Sequence, residues 1–294
     1  MRPRPGASTR ILGNNPAAQF GPLMSLLTEP YYSACNEVFR RCTNQGSLML
    51  EEMGKIIRDL RRVSILSVGS GVGLFEIPML KMLQDDDVAI SHFVGIDVSS
   101  HACARLEENL EAEFGPGIWY EVVCSPFQDF TSSQAFDIVL YNHTFEYLGG
   151  SPVRWLHKSE SFLTPGGQVI VFSPNRGGIN LIYGEVAQEL GGWNPLFADD
   201  IDATLANLGN LFQKRTLDAE CDVSLLDRSG PHPDEIKLLS FLTQRDCRTI
   251  PFETRESYVE HYLSLRQGGH TIPHPTTMFV LQDWALADTA GLDG

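Results

Sequence analysis

Three glycines at alternate positions, Gly69, Gly71 and Gly73, end the apolar run 65–68 and precede an apolar-periodic segment at 74–83. A strand that stops in a tight turn and feeds a helix leaves the helix's first N–H groups free. These face whatever sits above the strand's carboxyl edge, as does the positive end of the helix dipole. Because glycine lets backbone come close to a ligand, Gly69, Ser70, Gly71 and Gly73 are candidates for holding a polar cofactor. Such a turn serves NAD, FAD and S-adenosylmethionine sites alike and does not choose among them.

Three further sites could do chemistry at the same edge. The run 92–96 ends in Asp97, followed by Val98, a little over twenty residues beyond the turn. A carboxylate there can accept both hydroxyls of a ribose. The run 119–124 ends in Ser125, Pro126 and Phe127, where a polar group can meet an adenine amino group and a ring can lie against the base. The continuous apolar run 136–141 delivers Asn142-His143-Thr144-Phe145-Glu146-Tyr147. Histidine is the side chain that titrates near neutrality, which singles out His143 first and His274 second.

The elements that must position these residues alternate. Strands are expected at 65–68, 92–96, 119–124, 136–141 and 168–173, with helices at 74–83, 102–114 and 152–163. Ser99 and Ser100 are placed to cap the helix at 102–114, which ends at G-P-G. That alternation is the signature of a parallel sheet with helices on both faces. The expected fold class is α/β: a Rossmann-like, doubly wound, mostly parallel seven-stranded sheet, with N-terminal helices and helical insertions capping the site.

By segment, residues 1–22 read as a mobile tail, 23–62 as a helical cap, 63–178 as the cofactor-binding core, and 179–285 as the rest of the sheet with capping helices. Within the last segment, 179–190, 198–208, 234–242 and 256–265 look helical, 211–225 looks like a strand with flanks, and 276–284 is the last strand.

Composition bounds the function. With 294 residues, 43% of them hydrophobic, the chain can bury one substantial α/β core. A formal charge of −15 and a pI near 4.9 argue against a nucleic-acid partner, which needs a basic face. The six cysteines form no C-x-x-C pair and do not cluster with histidines at metal spacing, so reduced thiols and no metal are expected. No apolar run is long enough to cross a bilayer, and M-R-P-R-P-G-A-S-T-R lacks the apolar core of a signal peptide. A cytoplasmic protein, monomer or homodimer, with no membrane partner is expected.

With these residues in place the chain resembles the class I S-adenosylmethionine-dependent methyltransferases. The resemblance rests on L-S-V-G-S-G-V-G, G-I-D, F-D-I-V-L-Y-N-H and L-T-P-G-G-Q-V-I-V-F-S in that order, spanning about residues 63–173. Within that superfamily the flanks are similar to the histamine N-methyltransferase group: F-R-R before the core, L-F-A-D-D-I-D-A-T-L-A-N-L-G after it, then L-L-S-F-L-T and T-T-M-F-V-L.

The resemblance implies S-adenosylmethionine as cofactor, held by Gly69, Ser70, Gly71, Gly73, Asp97, Val98, Ser125, Pro126 and Phe127, with Asn142 near the sulfonium. It implies a small-molecule acceptor touched by His143, which falls where that group has a substrate-contacting glutamine. Tyr31, Tyr32, Tyr147, Tyr183 and Trp193 would wall the acceptor pocket, with His274 beside them. Methyl transfer to a nitrogen or a nucleophilic ring carbon of an amine or heteroaromatic, with His143 as base, is the leading expectation. A small-molecule O-methyltransferase and a cofactor-binding regulator without catalysis are the alternatives.

Overall fold

The computed structural model describes residues 10–11, 27–148, 151–180, 195–207, 212–227 and 232–282. Its centre is one sheet. In chain order the strands are β1 (Arg10–Ile11), β2 (Arg62–Val68), β3 (Ala89–Asp97), β4 (Tyr120–Cys124), β5 (Phe136–Asn142), β6 (Leu163–Pro174), β7 (Phe212–Leu217) and β10 (Thr276–Gln282). They lie in the order β1-β4-β3-β2-β5-β6-β10-β7, and only β10 runs antiparallel, to both β6 and β7. Seven of them make the expected sheet. The eighth, two-residue β1, pairs in parallel with β4 at the edge and falls within the stretch read as a tail.

Alternation along the strands divides the core in two. On β2, Val63 and Ile65 enter one apolar cluster while Leu66 and Val68 enter the other; on β6, Ile170 and Phe172 oppose Val169 and Val171 in the same way. Period-two residues of a buried strand must face opposite sides. The first cluster is closed by α2 (Gln45–Ile57), α3 (Glu76–Asp85) and α4 (Ser100–Phe114), the second by α6 (Pro152–Glu160) and α7 (Ala198–Asn207). Ser99 caps α4 as expected, its hydroxyl accepting the Ala102 N–H at 3.1 Å.

A third cluster forms the cap. Val38 and Phe39 of α1 (Tyr31–Cys42) pack with Leu238, Leu239 and Leu242 of α8 (Pro233–Thr243) and with Val259 and Tyr262 of α9 (Phe252–Ser264). Cys221 and Ile272 join them from β8 (Glu220–Asp222) and β9 (Thr271–Pro273), an antiparallel pair outside the main sheet.

The stretch read as one strand over 211–225 is therefore two. β7 ends at Leu217, the chain turns through Asp218 and Ala219, and β8 leaves for the small sheet, followed by a short 3₁₀ turn at Ser224–Asp227. Likewise α6 stops at Glu160 rather than at 163, and T-P-G-G, which precedes the strand expected at 168–173, already lies inside β6. Its Gly167 lies so close to the Phe136 carbonyl that an added Cβ would stand 3.0 Å from it, so a side chain there would crowd the start of β5. Of the helix read over 179–190, all but the first two residues lie outside the described residues.

Candidate active site

The carboxyl edge of β2, β3, β4 and β5 and the underside of the cap enclose a cavity of about 400 Å³, within the range of small-molecule sites. Its floor is the turn after β2. The Gly69 and Ser70 N–H groups donate to the Ile96 carbonyl at 2.8 and 3.0 Å, tying the turn to β3. Gly69 has φ +70, and a Cβ there would lie 2.5 Å from Thr144 Cγ2. No other residue fits between β2 and the segment after β5.

Asp97 ends β3 with both oxygens engaged by backbone: the Gly71 N–H donates to Oδ2 and the Ser99 N–H to Oδ1, each at 2.9 Å. Burial lifts this carboxyl above its ordinary range, and the two N–H groups pull it back. Each oxygen keeps a lone pair for an incoming hydroxyl. Val98, Ser125 and Phe127 line the same end of the cavity, and the Ser125 N–H is held by the Asp97 carbonyl at 2.9 Å.

The opposite end is built by the segment leaving β5. His143 has φ +52, a left-handed backbone that a non-glycine residue adopts at a cost of roughly 1–2 kcal/mol. Its N–H donates to the Phe172 carbonyl at 3.0 Å, and the chain then turns into the short helix α5 (Phe145–Leu148). Glu146 returns one turn later, its Oε1 3.5 Å from His143 Nδ1, with the two side chains 5% and 17% exposed. Asn142 Oδ1, His143 Nε2 and Glu146 Oε2 are buried without a protein partner, and all three residues line the cavity.

Above them the cap contributes aromatic rings. Tyr32 lies 5.8 Å from Phe241, Phe39 stacks on Phe241 at 4.5 Å, and His274 meets the Phe39 ring at 5.2 Å. Burial pushes the Tyr32 hydroxyl well above its ordinary value, with its hydrogen bond to Tyr147 acting in the same direction. The His274 ring stacks near that of His143, with centroids 6.4 Å apart. Both His274 ring nitrogens have neighbours: Gln45 Nε2 at 3.2 Å from Nε2 and Thr43 Oγ1 at 3.3 Å from Nδ1. Burial, then the His143 and Arg40 charges, hold His274 well below the usual histidine range, so it is neutral near pH 7.

Most of the residues expected from sequence meet in this cavity: Gly69, Ser70, Gly71, Asp97, Val98, Ser125, Phe127, Asn142, His143, Tyr32, Tyr147 and His274. Three do not. Gly73 sits behind the turn, where a Cβ would stand 2.6 Å from Leu106 Cδ1; it serves the packing of α4 on the sheet. Pro126 lies between two lining residues without joining them. Tyr31 is one residue, and so 100° of helix, from Tyr32 and turns to α8, with the Arg248 guanidinium 3.5 Å over its ring. Tyr183 and Trp193 lie outside the described residues.

Four charged lining residues were not singled out from the sequence: Glu29, Arg40, Glu76 and Glu146. Glu146 carries the one signal that could have found it, a carboxylate three positions after a histidine at a strand's carboxyl end. Glu76 opens α3 and accepts the Ser67 hydroxyl at 2.9 Å; burial raises its carboxyl to about 7. Arg40 is the one Lys or Arg among the described lining residues. Its Nε is buried without a partner, and burial lowers its ordinarily high pKa against the pull of Glu76.

This arrangement fits S-adenosylmethionine on its own terms. One end offers Asp97 to a ribose and Phe127 to a base, the turn after β2 offers close backbone, and Arg40 offers to a carboxylate a guanidinium whose Nε–H is unpartnered. Among the described residues, no group of three His, Cys, Asp or Glu side chains is placed to hold a metal ion, and no helix is long and apolar enough to cross a membrane.

Comparison with known proteins agrees with the geometry. Residues 66–169 match the family model described as "Methyltransferase domain". The sequence matches no curated protein. Among solved structures, the fold is similar to that of the plantazolicin methyltransferase BpumL in complex with a pentazolic desmethylPZN analog and S-adenosylhomocysteine. The TM-score is 0.51 at 13% identity, covering 89% of this chain and 95% of that one. It is also similar to a Bacillus halodurans C-125 protein assigned as a methyltransferase, with a TM-score of 0.50 at 14% identity, covering 80% of this chain and 99% of that one. These likenesses are of fold. The domain match runs from β2 into β6, the strands whose carboxyl edge floors a cleft that suits S-adenosylmethionine: this chain carries a methyltransferase domain.

Proposed function

We propose that the enzyme transfers a methyl group to a nitrogen, or to a nucleophilic ring carbon, of a small amine or heteroaromatic molecule, with His143 binding or deprotonating the acceptor. The observation that carries this reading is the buried, unpartnered Nε2 of His143 on the wall of a cavity roofed by aromatic rings. The bound cofactor supplies an electrophilic methyl group; everything else is positioning, a proximity effect worth up to several kcal/mol. Arg40 and the turn at Gly69–Gly71 hold its amino-acid end, Asp97 its ribose, and Ser125 and Phe127 its base.

Asn142, beside His143 on the segment leaving β5, would lie near the sulfonium, and Tyr32 and Tyr147 would confine the acceptor. A roofed cavity of this size favours a small acceptor over a macromolecule. The resemblance of the flanks to the histamine N-methyltransferase group supports the same class. Radiolabelled methyl transfer against a panel of amines, indoles, imidazoles and phenols tests it. Labelled product from a nitrogen or ring-carbon acceptor is expected, and product from phenols alone would replace this reading with O-methylation.

A further inference from the structure

We propose that Glu146 selects the acceptor, and that it selects a small protonatable amine on a flat or apolar body over the matching carboxylate. This rests on the methyl-transfer reading of the same cleft. Buried polar atoms in native proteins are nearly always partnered, and one left unmet costs its lost hydration. Here three such buried, unmet atoms belong to neighbouring residues that all line the cavity: Asn142 Oδ1, His143 Nε2 and Glu146 Oε2. Two of them are oxygens that can only accept while Glu146 is ionised. Their ligand must bring hydrogen-bond donors. An ammonium brings up to three N–H groups; a carboxylate brings none and would face Glu146 as a like charge.

The charge balance of the cavity points the same way. Glu29, Glu76, Asp97 and Glu146 line it, against Arg40 as the one Lys or Arg among the described lining residues. If Arg40 meets the cofactor's carboxylate, no Lys or Arg among the described lining residues remains for an anionic acceptor. Tyr32, Phe39 and Phe241 offer ring faces to a cation or to the body that carries it. Tyr32 Oη is taken up by its hydrogen bond with Tyr147.

The chemistry balances. The acceptor enters as an ammonium, donates one N–H to Glu146 Oε2, and gives one proton to His143 Nε2, which frees the nitrogen lone pair. The nitrogen–carbon bond forms as the sulfur–methyl bond breaks, its electron pair remaining on sulfur, so the sulfonium becomes a neutral thioether and the product leaves as a methylammonium. His143 passes its proton to solvent. Glu146 Oε1, 3.5 Å from Nδ1, faces the ring while it is charged.

The test uses the full chain saturated with S-adenosylhomocysteine and titrated calorimetrically with tryptamine, tyramine and histamine, each against its matched acid: indole-3-propionate, 3-(4-hydroxyphenyl)propionate and imidazole-4-propionate. At least one amine should bind tenfold or more tightly than its acid. Glu146→Gln should weaken that amine at least tenfold and leave S-adenosylhomocysteine affinity within about twofold. An acid that binds as well as its amine, no binding by any amine, or undiminished amine binding by the variant would each overturn the proposal. If Glu146→Gln does not fold, the amine-to-acid ratio of the unaltered protein decides. Absence of S-adenosylhomocysteine binding by the unaltered protein would instead sink the cofactor reading, methylation of acids or phenols alone would sink both the proposed function and this inference, and methylation of a neutral heteroaromatic ring with every amine inert would sink this inference alone.

Discussion

Asp97 accepts one backbone N–H on each oxygen and so holds the turn after β2 and the start of α4 together before any ligand arrives. A ribose would find the carboxylate already aimed. Asp97→Ala should weaken S-adenosylhomocysteine by about 1.5–3 kcal/mol, roughly 10- to 150-fold, the range for losing a charged acceptor. Calorimetry on folded variant checks it, and normal affinity would make the residue a strut of the turn only. At the other end, His143→Ala should lower the rate about 10²-fold or more, as for a lost general base, while S-adenosylhomocysteine affinity stays within about twofold. Equal loss of both would place the imidazole in the cofactor site, and normal turnover would pass the role to Tyr147 or Tyr32.

Among the elements, α3 carries an unusual start. A helix N-terminus stabilises a carboxylate, yet Glu76 is buried between Ser67 and the cavity, and burial outweighs the helix, lifting its carboxyl from 4.5 to about 7. Below pH 4.5 it is protonated folded or unfolded and has no effect on stability. Between 4.5 and 7 the unfolded chain loses the proton while the folded chain keeps it, so stability falls as pH rises, and above 7 the penalty is constant. Relative to Glu76→Gln, the unaltered protein should lose up to about 3 kcal/mol across that window. Urea unfolding at pH 4.5 and 7.5 measures the difference. Parallel pH profiles for the two proteins would mean that the carboxylate is solvated rather than buried.

On the scale of the whole molecule, the cleft lies between two bodies of apolar packing: the sheet with its flanking helices, and the cluster joining α1, α8 and α9. α1 sends Tyr32, Asn36, Phe39 and Arg40 into the cavity that the sheet's edge floors. A ligand filling it touches both bodies. At 100 times its dissociation constant, S-adenosylhomocysteine should stabilise the fold by about 2.7 kcal/mol. Amide exchange should slow in Tyr31–Cys42 as well as in the turn at 69–71. Protection confined to the turn would show that the cap does not close on the cofactor.

The sequence by itself determined the strand–turn–helix order, the glycine turn, Asp97 and the edge that carries His143, because these follow from local periodicity and from steric rules that act within a few residues. It also determined which strands are buried on both faces, since a continuous run such as F-D-I-V-L-Y has no solvent side. Only the tertiary structure decided that Gly73 packs on Leu106 and that Tyr31 turns to Arg248 while Tyr32 enters the cavity. A helix start does not reveal which side another helix will cover. The same holds for Arg40 and Glu76, brought from 36 positions apart to one cavity by the fold. The unmet atoms of Asn142, His143 and Glu146 are likewise a property of the closed cavity, because an atom is left without a partner only once packing has removed water from it.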